Sequence, residues 1–197
     1  MRTRDPKKEK AIRDKALAMI VKEGFDGLSM QKLAKAAGVS PATIYIYWKD
    51  RDDLILGLYR DVFRQMSETT LEGFDPSLSF RDGLRIQWRN RAKYCLEHPL
   101  ENHFMEQVKF SPLHDKAQEI VGGAFIEAMR TFVKGAIKRG ELIRIPVEVY
   151  WSLAFAPLYQ LVKYHKHGRG MPGTGPFVLD DKIMTMTLDL VLKALKP

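Results

Sequence analysis

One cysteine, Cys95, is all that the 197 residues contain, so no disulfide can close within the chain. Small secreted disulfide scaffolds are excluded, and the lone thiol fits a reducing cytoplasm. Long apolar runs are missing too. The longest candidate, 153–161, falls short of the roughly 18 to 20 residues that span a bilayer, and Pro157 and Gln160 interrupt it. The start MRTRDPKKEK is basic with no apolar stretch behind it, so neither a secretory leader nor a membrane partner is expected. Alternating β-branched runs are absent, which leaves little material for strands.

Chemistry-bearing constellations are equally scarce. No nucleophile, base and orienting group stand in a recognisable arrangement, so an enzyme is not expected. Gly168, Gly170 and Gly173 have the GxGxxG spacing, but no strand precedes them and Pro172 interrupts them; the segment reads as a linker between the last two helices. His98, His103, His165 and His167 lack a third ligand at helical spacing, and no metal or other cofactor is expected.

What is present points to a packed protein with a polyanionic partner. With 45% hydrophobic and 10% aromatic residues the chain can bury enough surface to offset its conformational entropy. The net charge of +8 is uneven: residues 1–65 hold 14 Lys/Arg against 9 Asp/Glu, and residues 66–197 hold 18 against 15. The first third carries most of the excess, and nucleic acid is the commonest partner for such a segment.

Apolar residues recur at three- and four-residue spacing throughout, which predicts an all-α chain of about nine helices. The first covers 7–23, with Ile12, Ala16, Leu17, Ile20 and Val21 on one face and Gly24 closing it. Ser29 caps a short helix over 30–37, ended by Gly38, and Ser40 caps the next with Pro41 at its first position. Asp50 and Asp53 form a capping pair that opens a helix over 51–71, with Leu54, Ile55, Leu58 and Val62 inward. Beyond the EGFDPS junction, helices are predicted near 79–97, 99–109, 112–139, 146–166 and 178–195, the fourth of these kinked at Pro157. The organisation expected is an N-terminal domain over 1–62 followed by a larger C-terminal domain over 63–197.

Residues 28–48, LSMQKLAKAAGVSPATIYIYW, place two short helices around the turn Gly38-Val39-Ser40. That is a helix-turn-helix arrangement, whose second helix enters the DNA major groove. Leu28, Leu33, Ala34, Ala37, Val39, Ile44 and Trp48 supply an inner apolar set. Pro41, Ala42, Thr43, Tyr45, Ile46 and Tyr47 remain outward, with Lys49 and Arg51 just past the end. The hydroxyls suit phosphates or base edges, Ala42 and Ile46 suit a thymine methyl, and the two cations suit the backbone.

From Lys7 to about Val62 the sequence resembles the DNA-binding domain of the TetR family of transcriptional regulators. The resemblance rests on Gly24-Phe25, Ser29, Leu33-Ala34-Lys35-Ala36-Ala37-Gly38-Val39-Ser40, Thr43-Ile44-Tyr45, Tyr47-Trp48 and Arg51-Asp52-Asp53-Leu54. Trp48 stands where the family usually has Phe, and Arg51 where it usually has Lys. The resemblance implies DNA contacts from Gln31, Ser40, Thr43, Tyr45, Tyr47 and the Lys49 to Arg51 turn, with Lys7, Lys8 and Lys10 near the DNA backbone. It also implies a homodimer on a palindromic operator, released by a small-molecule effector.

Thirteen of the 20 aromatics fall in residues 76–197. Most are core, and Trp88, Phe104, Gln107, Phe125, Met129, Trp151, Phe155 and Tyr159 are the candidates for lining a site for a hydrophobic or planar effector. Two apolar helix faces, Tyr150, Ala154, Leu158 and Leu161 on one and Ile183, Met186, Leu190 and Val191 on the other, are the candidate dimer seam. The function expected is an operator-binding repressor of the cytoplasm. An effector-independent regulator of the same family and a helical small-molecule binder with no DNA role are the alternatives.

Overall fold

The computed structural model describes residues 5–197, and its regular structure is helical apart from an isolated bridge between Arg169 and Pro176. In chain order the helices are α1 (Pro6–Gly27), α2 (Met30–Ala37), α3 (Pro41–Ile44), α4 (Arg51–Leu71), α5 (Phe80–Glu97) and α6 (Pro99–Lys109), followed by α7 (His114–Ile120), α8 (Ala124–Lys138), α9 (Val147–Ala154), α10 (Ala156–His167) and α11 (Asp181–Leu195). Among the described residues no helix is long and apolar enough to cross a membrane.

Two of the expected helices are each divided in two. The span expected over 112–139 breaks at Val121-Gly122-Gly123, where Gly123 adopts φ +67°. Two adjacent glycines each cost helix about 1 kcal/mol relative to alanine, enough to end it. The span expected over 146–166 breaks at Phe155, because Pro157 has no N–H to continue the ladder. The indole N–H of Trp88 donates to the carbonyl of Ala154 at 2.7 Å, satisfying a backbone acceptor at the break.

Packing divides the chain into two compact units, and it does so discontinuously. Residues 5–65 are joined by His98–Val121, while Met66–Glu97 are joined by Gly122–Pro197. This differs from the contiguous division at residue 62, because α6 packs on α1. Phe104 and Val108 on α6 are fully buried, and Gln107 Nε2 donates to the carbonyl of Val21 at 3.5 Å. The first unit is centred on Ile12, Ile20, Leu33, Ile44, Leu54 and Ile55, each with no exposed surface.

The second unit is built on α5, α8, α9, α10 and α11 around Leu84, Trp88, Phe132, Ala154, Phe155 and Leu158. Burying an aliphatic or aromatic side chain of this kind contributes roughly 1.5 to 3 kcal/mol. Gly83 lies inside α5 because the Phe132 ring occupies the space that a Cβ would need. Asn90 closes the end of α4, donating to the carbonyls of Thr70 at 3.2 Å and Glu72 at 2.7 Å.

Candidate functional sites

Local chemistry fixes the helix-turn-helix. Asp5 caps α1 by accepting from the amides of Lys7 and Lys8, with Pro6 at the first helical position. Ser29 caps α2 through the Lys32 amide at 3.2 Å. Gly38 at φ +66° then reverses the chain, with the Val39 amide reaching back to the Ala34 carbonyl at 3.0 Å. Ser40 accepts from the Thr43 amide at 3.2 Å and lies 2.9 Å from the Thr43 hydroxyl, so the Ser40 hydroxyl serves the cap. The Asp50 and Asp53 pair forms: Asp50 accepts from the Asp53 amide at 2.8 Å, and Asp53 accepts from the Lys49 amide at 2.9 Å.

The recognition segment is shorter as α-helix than its sequence predicts. α3 ends at Ile44, and residues 45–47 continue as turns held by Ile46 to Thr43 and Tyr47 to Ile44 hydrogen bonds. Buried Ile44 and Trp48 anchor both ends of this tightened stretch. Gln31, Ser40, Pro41, Ala42 and Lys49 are exposed, Thr43 and Ile46 are half-buried, and Tyr45 is 53% exposed.

Tyr47 and Arg51, both expected as DNA contacts, have partners distant in sequence. The Tyr47 hydroxyl accepts from the Asp5 amide at 2.8 Å and donates to the Asp5 carbonyl at 3.2 Å. Arg51 donates from Nε to the Leu28 carbonyl at 3.0 Å and from Nη2 to the Phe25 carbonyl. These bonds hold the Arg51 side chain against the carbonyls near the end of α1. Lys7, Lys8 and Lys10 are exposed, and Lys10 pairs with Asp14 at 2.7 Å. Arg13 pairs with Asp61, and burial draws its guanidinium below the usual value against the opposing pull of Glu9.

Residues 12–58 match the model of the bacterial regulatory proteins of the tetR family. The whole chain is similar to a TetR family transcription regulator from Marinobacter aquaeolei, at 26% identity over 100% of this chain and 99% of that one, with a TM-score of 0.73. A TetR family protein from Vibrio parahaemolyticus is 25% identical over 96% of this chain and 99% of its own, with a TM-score of 0.78. Residues 12–58 thus form a DNA-binding domain of the tetR type, and over its length the chain is similar to TetR family regulators. An HTH-type transcriptional regulator of Haemophilus influenzae is 36% identical over 81 residues, which are 41% of this chain and 43% of that protein. That likeness speaks for the N-terminal part alone. On that likeness the chain is a helix-turn-helix DNA-binding regulator of transcription.

The candidate ligand residues are divided between the two units. Phe104 and Gln107 belong to the first, packed with α1. Trp88 is core, its indole nitrogen already engaged. Phe125, Trp151, Phe155 and Tyr159 do gather, around a side chain that the sequence reading passed over. Arg91 on α5 is 2% exposed, with its guanidinium carbon 4.3 Å from the Phe155 ring centre, 5.0 Å from Trp151 and 5.7 Å from Phe125. Its Nη1 donates to the Tyr159 hydroxyl at 2.8 Å. Burial raises the Tyr150 hydroxyl above its ordinary value, and the Arg91 charge works against that rise. Met129 is half-buried on α8.

The candidate dimer residues separate into two groups. Tyr150, Ala154, Leu158 and Val191 are buried inside the second unit's own core and cannot form a surface seam. Leu161 and Ile183 are half-buried, whereas Met186 and Leu190 are 56% and 58% exposed. Val147 and Leu153 on α9 are also exposed, and α9 packs against α11. Periodicity identifies an apolar face but does not say which of its residues the unit's own core covers. Among the described residues no three metal-ligating side chains cluster.

Proposed function

We propose that this TetR regulator represses transcription by binding a palindromic operator as a homodimer, and that a small molecule held in the second unit releases it. The observation that carries the reading is the outward set Gln31, Ala42 and Tyr45 with Lys49, side chains left exposed once the turn's own caps are made. No Arg or Asn stands on α3, so methyl, hydroxyl and shape readout account for its specificity. Exposed Met186 and Leu190, with Val147 and Leu153, support a two-fold seam, and two recognition segments one DNA turn apart, about 34 Å, match a palindrome. Effector binding favours a state of the dimer in which that spacing is lost, α4 being the helix whose residues run from one unit into the other.

Fluorescence anisotropy on the gene's own upstream DNA, repeated across a salt series, tests the reading. A steep loss of affinity with salt and one saturable site support it. Binding that never distinguishes upstream from unrelated DNA overturns the operator, and operator affinity that no small molecule alters leaves an effector-independent regulator.

A further inference from the structure

We infer that the second unit recognises its effector by a carboxylate head, gripped by Arg91 and seconded by Gln87, with the effector's apolar body against Phe125, Trp151 and Phe155. This deepens the repressor reading and rests on it for the word effector. The second unit contains a buried cation that its own residues do not neutralise. None of the ion pairs among the described residues involves Arg91. Nη1 is engaged by Tyr159, while Nε and Nη2 are buried without a hydrogen-bond partner. Nε and Nη2 form the side-on edge of a guanidinium, two parallel N–H donors whose spacing matches the two oxygens of one carboxylate.

Gln87 points to the same ligand independently. It stands one helical turn before Arg91, on the same face of α5, with no exposed surface. Both its amide nitrogen and its amide oxygen lack partners. Four polar atoms on two adjacent side chains, all buried and all unsatisfied, are costly to a fold unless a bound molecule completes them. One positive charge, a carboxamide and the Tyr159 hydroxyl suit a monoanion better than a phosphate dianion. The three rings that cover the guanidinium suit an aryl or alkyl body, and they exclude the water that would screen the pair.

The test uses the full-length protein and matched probes: 3-phenylpropionate, 4-phenylbutyrate, octanoate and decanoate, each beside its primary amide. Isothermal titration is expected to give acid binding at least about tenfold tighter than amide, because an ionic hydrogen-bonded edge is lost in the amide. Arg91→Gln should abolish that preference, weakening acid binding by at least about tenfold so that acid and amide bind alike. Should Arg91→Gln fail to fold, the acid-to-amide ratio on the unaltered protein decides, with loss of binding as pH falls through the acids' own pKa. Equal binding of acids and amides, acid binding that survives Arg91→Gln, or no binding by any acid at millimolar concentration overturns the proposal. Anisotropy on the operator keeps the two readings apart. Acids that bind through Arg91 without releasing DNA sink the inducible repressor and leave the carboxylate site standing.

Discussion

Tyr47 and Asp5 exchange two hydrogen bonds across 42 residues of sequence, the Asp5 amide donating to the hydroxyl and the hydroxyl donating to the Asp5 carbonyl. The recognition turn and the start of α1 are thereby fixed to each other, and Lys7 and Lys8 follow directly from the joint. Tyr45, two residues away, has its ring half in solvent. Two tyrosines that look alike in sequence have different tasks.

Tyr47→Phe should therefore destabilise the protein by about 1 kcal/mol and weaken operator binding through loosened lysines. Tyr45→Phe should weaken operator binding with the melting temperature unchanged, and so should Thr43→Ala apart from a small cap loss. Urea unfolding set beside anisotropy checks this. A stability loss in Tyr45→Phe with none in Tyr47→Phe would reverse the assignment.

Arg51 and Lys49 should separate in the same way, through salt. Arg51→Ala removes donors from two carbonyls at the end of α1 and should cost about 1 to 3 kcal/mol while leaving the salt slope of DNA binding as it was. Lys49→Ala should stay within about 0.5 kcal/mol in stability and lower the salt slope by about one. A changed slope in Arg51→Ala would show its charge to be on DNA after all.

Glycine replacements provide a packing test. Gly83→Ala gains helix propensity of about 1 kcal/mol but drives a Cβ into the Phe132 ring, so a net loss of about 1 to 3 kcal/mol is expected. Gly135→Ala in α8 meets only the end of the Arg139 side chain, at 3.0 Å, and should be neutral or stabilising. Thermal unfolding of the two variants side by side decides.

Acid sensitivity should trace in part to Glu141. Its carboxylate accepts from Arg139 at 3.0 and 3.1 Å and from the Phe80 amide at 2.8 Å. The Arg139 hydrogen bonds hold its pKa below the usual 4.5, with the Phe80 amide adding to the effect. A lowered pKa in the folded state gives stability that is present above the unfolded value and disappears as pH falls through the folded one. Between about pH 5 and 3 the unaltered protein should lose more stability than Glu141→Gln, as followed by melts across that range. Parallel pH profiles would remove Glu141 from the account.

How much was legible follows from what each signal encodes. Caps and turns are local, so Ser29, Gly38, Ser40 and the Asp50 and Asp53 pair could be placed from neighbours alone, and the inner set of Leu33, Ala34, Ile44 and Trp48 followed from spacing. Partner choice is not local. The spacing of Phe104 and Val108 reveals a buried face on α6 but not that α1 covers it. Gly122-Gly123 was a plain stop signal that the long apolar pattern of 112–139 concealed. Arg91 was the most informative residue missed, and the sign was available: it falls on the stripe of Leu84, Trp88 and Cys95, where a charge has no solvent to reach.

The Trp88 bond to the Ala154 carbonyl has an optical consequence. Of the three indoles, Trp88 is anchored at the break between α9 and α10, Trp151 lies against the Arg91 cation, and Trp48 sits in the other unit beside Tyr47. Emission from an indole shifts with the field and polarity around its ring. With Trp48 replaced by Phe, the protein's indole fluorescence would come only from the second unit, a dye-free report on whatever approaches that buried cation.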